Sequence, residues 1–137
     1  MEVRAGRASD LEGVAAIQAA SPEAAQWDPR EYLAHDFLVA ESGGAVAGFA
    51  AARRVAEGQS ELLNLAVARQ HRRSGIGRAL MNALLLRHPG EIWLELRASN
   101  PSALQFYESI GFQRVGSRPG YYENPPEAAI VMKFQSW

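Results

Sequence analysis

The stretch RRSGIGRAL, from Arg72 to Leu80, gathers three arginines around two glycines one residue apart. Arg72, Arg73 and Arg78 bring positive charge that can pair bidentately with an oxyanion. Gly75 and Gly77 have no side chain to hold a ligand away from the backbone, and glycine adopts positive φ without strain. If a helix begins here, its first N–H groups have no partner inside the helix, and its dipole is positive at that end. That combination can cradle a diphosphate. The same spacing also suits an ordinary helix start whose arginines face water, because a Gly-x-Gly pair is a short signal. It does not match the G-x-x-x-x-G-K-[ST] loop of ATP-binding proteins.

A cradle of this kind needs a strand before it and a helix after it. SELLNLAV supplies the strand, and the helix is expected from about Gly75 to His88. A dinucleotide-binding fold would place such a loop after its first strand. Here it follows the fourth, behind a hairpin. The earlier elements are EVRAG as a strand and SDLEGVAAIQAAS as a helix capped by Ser9 or Asp10. DPREYLAHD reads as a second helix, with Asp28 as cap, Pro29 in the first turn and Glu31 completing a capping box. FLVAES and AVAGFAAARRV form a hairpin around Gly43 and Gly44. After the cradle helix, EIWLELR alternates as a strand, with Ile92, Leu94 and Leu96 on one face and Trp93, Glu95 and Arg97 on the other. NPSALQFYESIG is a helix with Asn100 as cap, Pro101 in its first turn and Gly111 as stop. FQRVGSR and AAIVMKFQS close the chain as strands, separated by the aromatic loop PGYYENPPE. Runs of adjacent strands imply an α+β fold, a mixed and largely antiparallel sheet with helices on its faces.

Composition narrows the function classes. The 137 residues suit one domain, expected over 1–137, and no apolar run reaches the length of a membrane span. The start, MEVRAGRASD, lacks the apolar core of a secretory signal, so a cytoplasmic location is expected. A net charge of −1 argues against direct nucleic-acid binding, whereas the local arginine cluster suits a small anion. With no cysteine, thiolate metal sites and a cysteine nucleophile are excluded. His35, His71 and His88 show no ligand spacing, and no metal is expected.

LNLAVARQHRRSGIGRALM resembles the acetyl-coenzyme-A-binding segment of GNAT N-acetyltransferases, whose Arg/Gln-x-x-Gly-x-Gly/Ala signature is filled by Arg72, Gly75 and Gly77. IWLELRASNPSALQFYESIGF closely resembles the RimI-like ribosomal-protein-alanine N-acetyltransferases, as does the GYYENPPEAAIVM ending. Trp27 stands where those proteins carry a tryptophan ahead of a short helix. The resemblance runs in matching order over nearly the whole chain.

The resemblance implies acetyl transfer from acetyl-coenzyme A to an amine. It assigns Glu95 as general base and Tyr107 as the acid that protonates the departing thiolate. It implies that Arg72, Arg73, Ser74, Gly75, Ile76, Gly77 and Arg78 hold the coenzyme diphosphate. The backbone of Leu65, Ala66 and Val67 would pair with the pantetheine arm, which Asn100 would also contact. Read from pattern alone, Glu95 could instead pair with Arg97 on a wet face, and Tyr107 could be core packing. Trp27, Tyr121 and Tyr122, with Pro125 and Pro126, would line the acceptor side. Glu123 or Glu127 could meet a basic second residue or a free amine, and a rigid exposed hairpin loop is the plain alternative for this segment. Ala128 replaces the aspartate usual in the family, and Pro126 stands where a basic residue is common. The expected acceptor is the N-terminal α-amine of a protein, a small-subunit ribosomal protein in the RimI-like manner. A small-molecule amine or antibiotic, or a non-catalytic module that binds acyl-coenzyme A, are the alternatives. Oligomeric state is not legible in the sequence.

Overall fold

Seven strands and three α-helices order the described residues, 1–123 and 126–136, of the computed structural model. In chain order they are β1 (Glu2–Ala5), α1 (Leu11–Ala19), β2 (Asp36–Ser42), β3 (Ala45–Ala56), β4 (Gln59–Val67), α2 (Ile76–Arg87), β5 (Gly90–Arg97), α3 (Pro101–Ile110), β6 (Gln113–Tyr122) and β7 (Glu127–Ser136). The sheet order is β1-β2-β3-β4-β5-β7-β6. β1 with β2, β2 with β3, β5 with β7 and β6 with β7 are antiparallel, and β4 with β5 is parallel. This is the mixed, mostly antiparallel α+β sheet that the order of strands and helices implies.

Two expectations from local pattern are corrected. DPREYLAHD forms a 3-10 helix over Pro29–Ala34, although Asp28 does cap it by accepting the Arg30 N–H. Ser9 and Asp10 lie in a separate 3-10 turn, Ala8–Asp10, and neither side chain caps α1. The Asp10 carboxylate is engaged elsewhere: it accepts the Arg7 N–H at 2.8 Å and both Nη atoms of Arg4 at 2.8 and 2.9 Å.

The chain divides into two compact units. The first comprises Met1–Arg53 and Leu62–Arg87. Its core joins Val14 and Ile17 of α1 to Tyr32, Phe37, Val39, Phe49, Leu63 and Ala66. α2 buries Ile76, Leu80, Met81 and Leu84, a helical spacing that turns one apolar face inward. Gly48 on β3 permits its close approach: a methyl group there would meet Ile76 Cγ2 at 3.1 Å and Leu80 Cδ1 at 3.3 Å. The second unit comprises Arg54–Glu61 and His88–Trp137. β5 alternates as its sequence implies, with Ile92, Leu94 and Leu96 buried between partly exposed neighbours. Tyr107 of α3 packs edge-on against Phe112, which in turn contacts Phe134, both at 5.5 Å between ring centroids.

Candidate active site

In the first unit, β4 leads directly into the arginine-glycine loop. The Ala68 N–H donates to the Ala47 carbonyl at 2.8 Å, and a 3-10 turn over Arg69–His71 follows. Arg72 reaches back to this strand. Its Nε donates to the Val67 carbonyl and its Nη2 contacts Ser21 Oγ and Glu23 Oε1, each at 3.2 Å. Arg72 therefore ties the loop to the body of the unit, although it is exposed, as are Arg73 and Arg78. The Ser74 hydroxyl donates to the His71 carbonyl. Gly75 has φ +86, and a side chain there would meet nothing within 4 Å. Its carbonyl accepts the Ala79 N–H at 3.0 Å and opens α2, of which Ile76 is buried and Gly77 partly exposed. The loop thus leaves open space beside Gly75 at a helix N-terminus, a setting that suits an anionic phosphate.

Leu65, Ala66 and Val67 form the end of β4 ahead of this loop. The Leu65 N–H donates to the side chain of the preceding Asn64 at 3.0 Å. Asn64 belongs to a buried polar network that the sequence pattern did not reveal. Its Nδ2 donates to the Ala25 carbonyl at 2.8 Å and to the Tyr32 hydroxyl at 2.9 Å, and that hydroxyl donates to Gln18 Oε1 at 2.5 Å. Gln18 Nε2 in turn donates to the Trp27 carbonyl at 2.6 Å. Burial pushes the Tyr32 hydroxyl up to about 12, so it remains a donor at neutral pH. The network holds Ala25 and Trp27 by their carbonyls and leaves Trp27 41% exposed.

In the second unit, Glu95 lines a cavity of about 270 Å³ with Val55, Ser60, Glu61, Trp93, Leu94, Arg118 and Val131. Its partner is Arg118, with Nε 3.4 Å from Glu95 Oε1, rather than Arg97. Arg97 pairs with Glu127 at 3.0 Å and lies over the Tyr122 ring at 4.4 Å. Tyr121 bonds to Glu95, and this bond, followed by the carboxylate charge, raises the Tyr121 phenol above its ordinary range. Burial, with Glu95 second, pushes the Tyr122 phenol up to about 12.

The expected aromatic loop is largely strand. β6 runs through Pro119 and Gly120 to Tyr122, so both tyrosines lie on it, while Pro125 falls outside the described residues. Residues three apart in a regular strand point to opposite faces. Between Arg118, opposite Ala129, and Tyr122, opposite Glu127, the pairing slips, and Gly120 there has φ +65. This bulge lets Arg118 and Tyr121 both reach Glu95, a convergence that even alternation did not reveal. Glu127 faces its own fold: it accepts the Ser99 N–H at 2.8 Å as well as the Arg97 guanidinium, and the Ser99 side chain, followed by Arg97 and the Ser99 N–H, holds its carboxyl below the usual carboxylate range. Ala98 donates to the Ala128 carbonyl at 3.0 Å, which fixes the turn leading to α3. There Asn100 caps the helix by accepting the Ala103 N–H at 3.2 Å. Tyr107 is buried beside Phe106 and Phe112 and is not among the residues lining the cavity. Burial pushes its hydroxyl up.

Among the described residues, no group of three or more His, Cys, Asp or Glu side chains could hold a metal ion. No helix among them is long and apolar enough to cross a membrane.

Residues 34–114 match the model of a GNAT acetyltransferase domain. The [ribosomal protein bS18]-alanine N-acetyltransferase of Escherichia coli (strain K12) is 39% identical over 95 residues, covering 65% of this chain and 64% of that protein's length. The N-alpha-acetyltransferase RimI of Mycobacterium tuberculosis (strain ATCC 25618 / H37Rv) is 36% identical over 104 residues, or 73% of this chain and 66% of that protein. The crystal structure of Ard1 from Thermoplasma volcanium superimposes with a TM-score of 0.88 at 26% identity, covering 99% of this chain and 97% of that one.

Proposed function

The chain belongs to the GNAT acetyltransferase family, and from that premise we propose that it is an acetyl-coenzyme-A-dependent N-α-acetyltransferase acting on a protein N-terminus. The supporting observation is Glu95: a carboxylate on the polar face of β5, 23% open to solvent by its side chain, set in the wall of a cavity. Such a carboxylate can receive an ammonium and take its proton. An α-amine, with an ordinary pKa near ~7.7–8.0, needs only a modest base, whereas a lysine near ~10.4 is harder to deprotonate.

In this reading the open loop at Gly75 receives the coenzyme diphosphate on the first N–H groups of α2, with Arg73 and Arg78 adding charge. Arg72 keeps the loop in place. Leu65, Ala66 and Val67 offer backbone groups to the pantetheine arm, and Asn100 contacts it while capping α3. Glu95 accepts the amine proton as the nitrogen attacks the thioester carbonyl. The new N–C bond replaces the C–S bond, and Tyr107, protonated at neutral pH as a phenol ordinarily is, gives its proton to the departing thiolate. With no cysteine in the chain to carry an acetyl group, attack is direct. Trp27, Tyr121 and Tyr122 contribute to acceptor recognition.

The named activity of the Escherichia coli relative, alanine acetylation of ribosomal protein bS18, makes N-terminal peptides of small-subunit ribosomal proteins the first acceptors to test. A panel of N-terminal peptides and small amines, each incubated with the protein and acetyl-coenzyme A and followed by mass spectrometry, tests the proposal. Peptide α-acetylation supports it. Acetylation of small amines alone would make this a small-molecule enzyme, and coenzyme binding without any product would make it a binding module.

A further inference from the structure

Arg118 is absorbed by none of the roles above, yet it is the charged partner of Glu95. Its guanidinium arches over from β6 to within 3.4 Å of the carboxylate and lies 5.1 Å from the centre of the Tyr121 ring. The side chain is 59% exposed, at the open side of the cavity. Gly116, on the same strand, stands opposite Val131, which is itself opposite Glu95, so the β6 residue in register with Glu95 has no side chain to stand between Arg118 and the carboxylate.

An acceptor ammonium needs the same carboxylate that Arg118 holds. Entry is therefore an exchange of ion pairs. An acceptor with only its ammonium breaks one pair to make another and leaves a guanidinium beside the new cation. An acceptor that also carries a carboxylate near its amine makes two pairs, ammonium with Glu95 and carboxylate with Arg118. The planar guanidinium suits the second pairing, because its fork matches a carboxylate bidentately and stacking on Tyr121 limits its freedom. Chain dimensions place a second-residue side chain roughly 4–7 Å from the α-nitrogen, within reach of a group already in contact with Glu95.

We propose that Arg118 determines acceptor specificity by selecting an N-terminus whose second residue is acidic. This rests on the reading of the cavity as the acceptor site.

The test is isothermal titration of three pentapeptides differing only in a second residue of Asp, Asn or Lys, in saturating free coenzyme A, with turnover measured in parallel. Wild type, Arg118→Gln and Arg118→Glu are compared, and thermal melting confirms that each is folded. Exposed pairs typically carry up to about a fivefold effect. The expected result is that wild type binds the Asp peptide about fivefold more tightly than the Lys peptide, that Arg118→Gln loses this preference, and that Arg118→Glu reverses it. The same order of affinities in all three proteins overturns the proposal. So does a wild-type preference for Lys, which would mean that Glu61 in the same cavity governs the choice. Reversal in binding without acetylation of any peptide would leave Arg118 its role and remove the acetyl-transfer reading instead.

Discussion

The loop from Arg72 to Arg78 and the cavity around Glu95 are built in opposite ways. The loop is seven consecutive residues whose chemistry lies in the backbone: a positive φ at Gly75, open space above it and the first turn of α2. The cavity gathers side chains from Val55 to Val131, and its character depends on strand register and on a bulge in β6. A backbone site tolerates change in most of its side chains but not in its glycine. A side-chain site fails at the one group that does chemistry, while its walls can vary.

The largest effect is expected at that group. Glu95→Gln should lower kcat by about 10²–10⁴-fold, the usual contribution of a general base, with the affinity for acetyl-coenzyme A nearly unchanged. A fall of less than about threefold at neutral pH would make Glu95 structural and erase the contrast. In the loop, Gly75→Val should leave the fold largely intact, because its side chain enters open space, although positive φ strains the backbone. Acetyl-coenzyme A at about 100 times its Kd should stabilise the wild type by about 2.7 kcal/mol, and the variant should lose most of that thermal shift. An undiminished shift would remove the cradle assignment.

Smaller effects separate support from chemistry. Asn64→Ala should cost about 1–3 kcal/mol in the first unit, the penalty for buried polar groups left without partners, read by denaturant unfolding. In the second unit, Glu127 has a depressed pKa, so its contribution to stability is complete above the unfolded value near ~4.3 and is lost as pH falls through the folded value. The stability difference between wild type and Glu127→Gln should therefore be constant at neutral pH and shrink below about pH 4. A constant difference down to pH 3 would mean that the Ser99 and Arg97 bonds do not persist in solution.

The contrast also explains what was legible in the sequence. Asn100, Pro101 and Gly111 mark the ends of α3 because caps and stops act within a few residues, and the alternation of EIWLELR places Glu95 on the exposed face directly. Pattern alone could not decide whether Arg97 or Arg118 meets Glu95, since the partner comes from two strands away and a bulge aims it. For the same reason only the first part of β6 reads as strand and its end, from Pro119 to Tyr122, reads as a loop: Pro119 and Gly120 signal a turn, but pairing with β7 carries the strand through to Tyr122. The Gln18, Tyr32 and Asn64 network spans three separate segments, and nothing in the local pattern of any of them announces the other two.

The central claim is transfer to an α-amine with Glu95 as base. Its most direct test is one peptide with a free N-terminal alanine and one internal lysine, incubated with acetyl-coenzyme A and the wild-type protein or Glu95→Gln, with the acetyl group mapped by tandem mass spectrometry. Wild type should place a single acetyl group on the α-nitrogen, and Glu95→Gln should lose that product by at least a hundredfold in rate. Acetylation at the lysine, or α-acetylation that proceeds equally fast without the carboxylate, would contradict it.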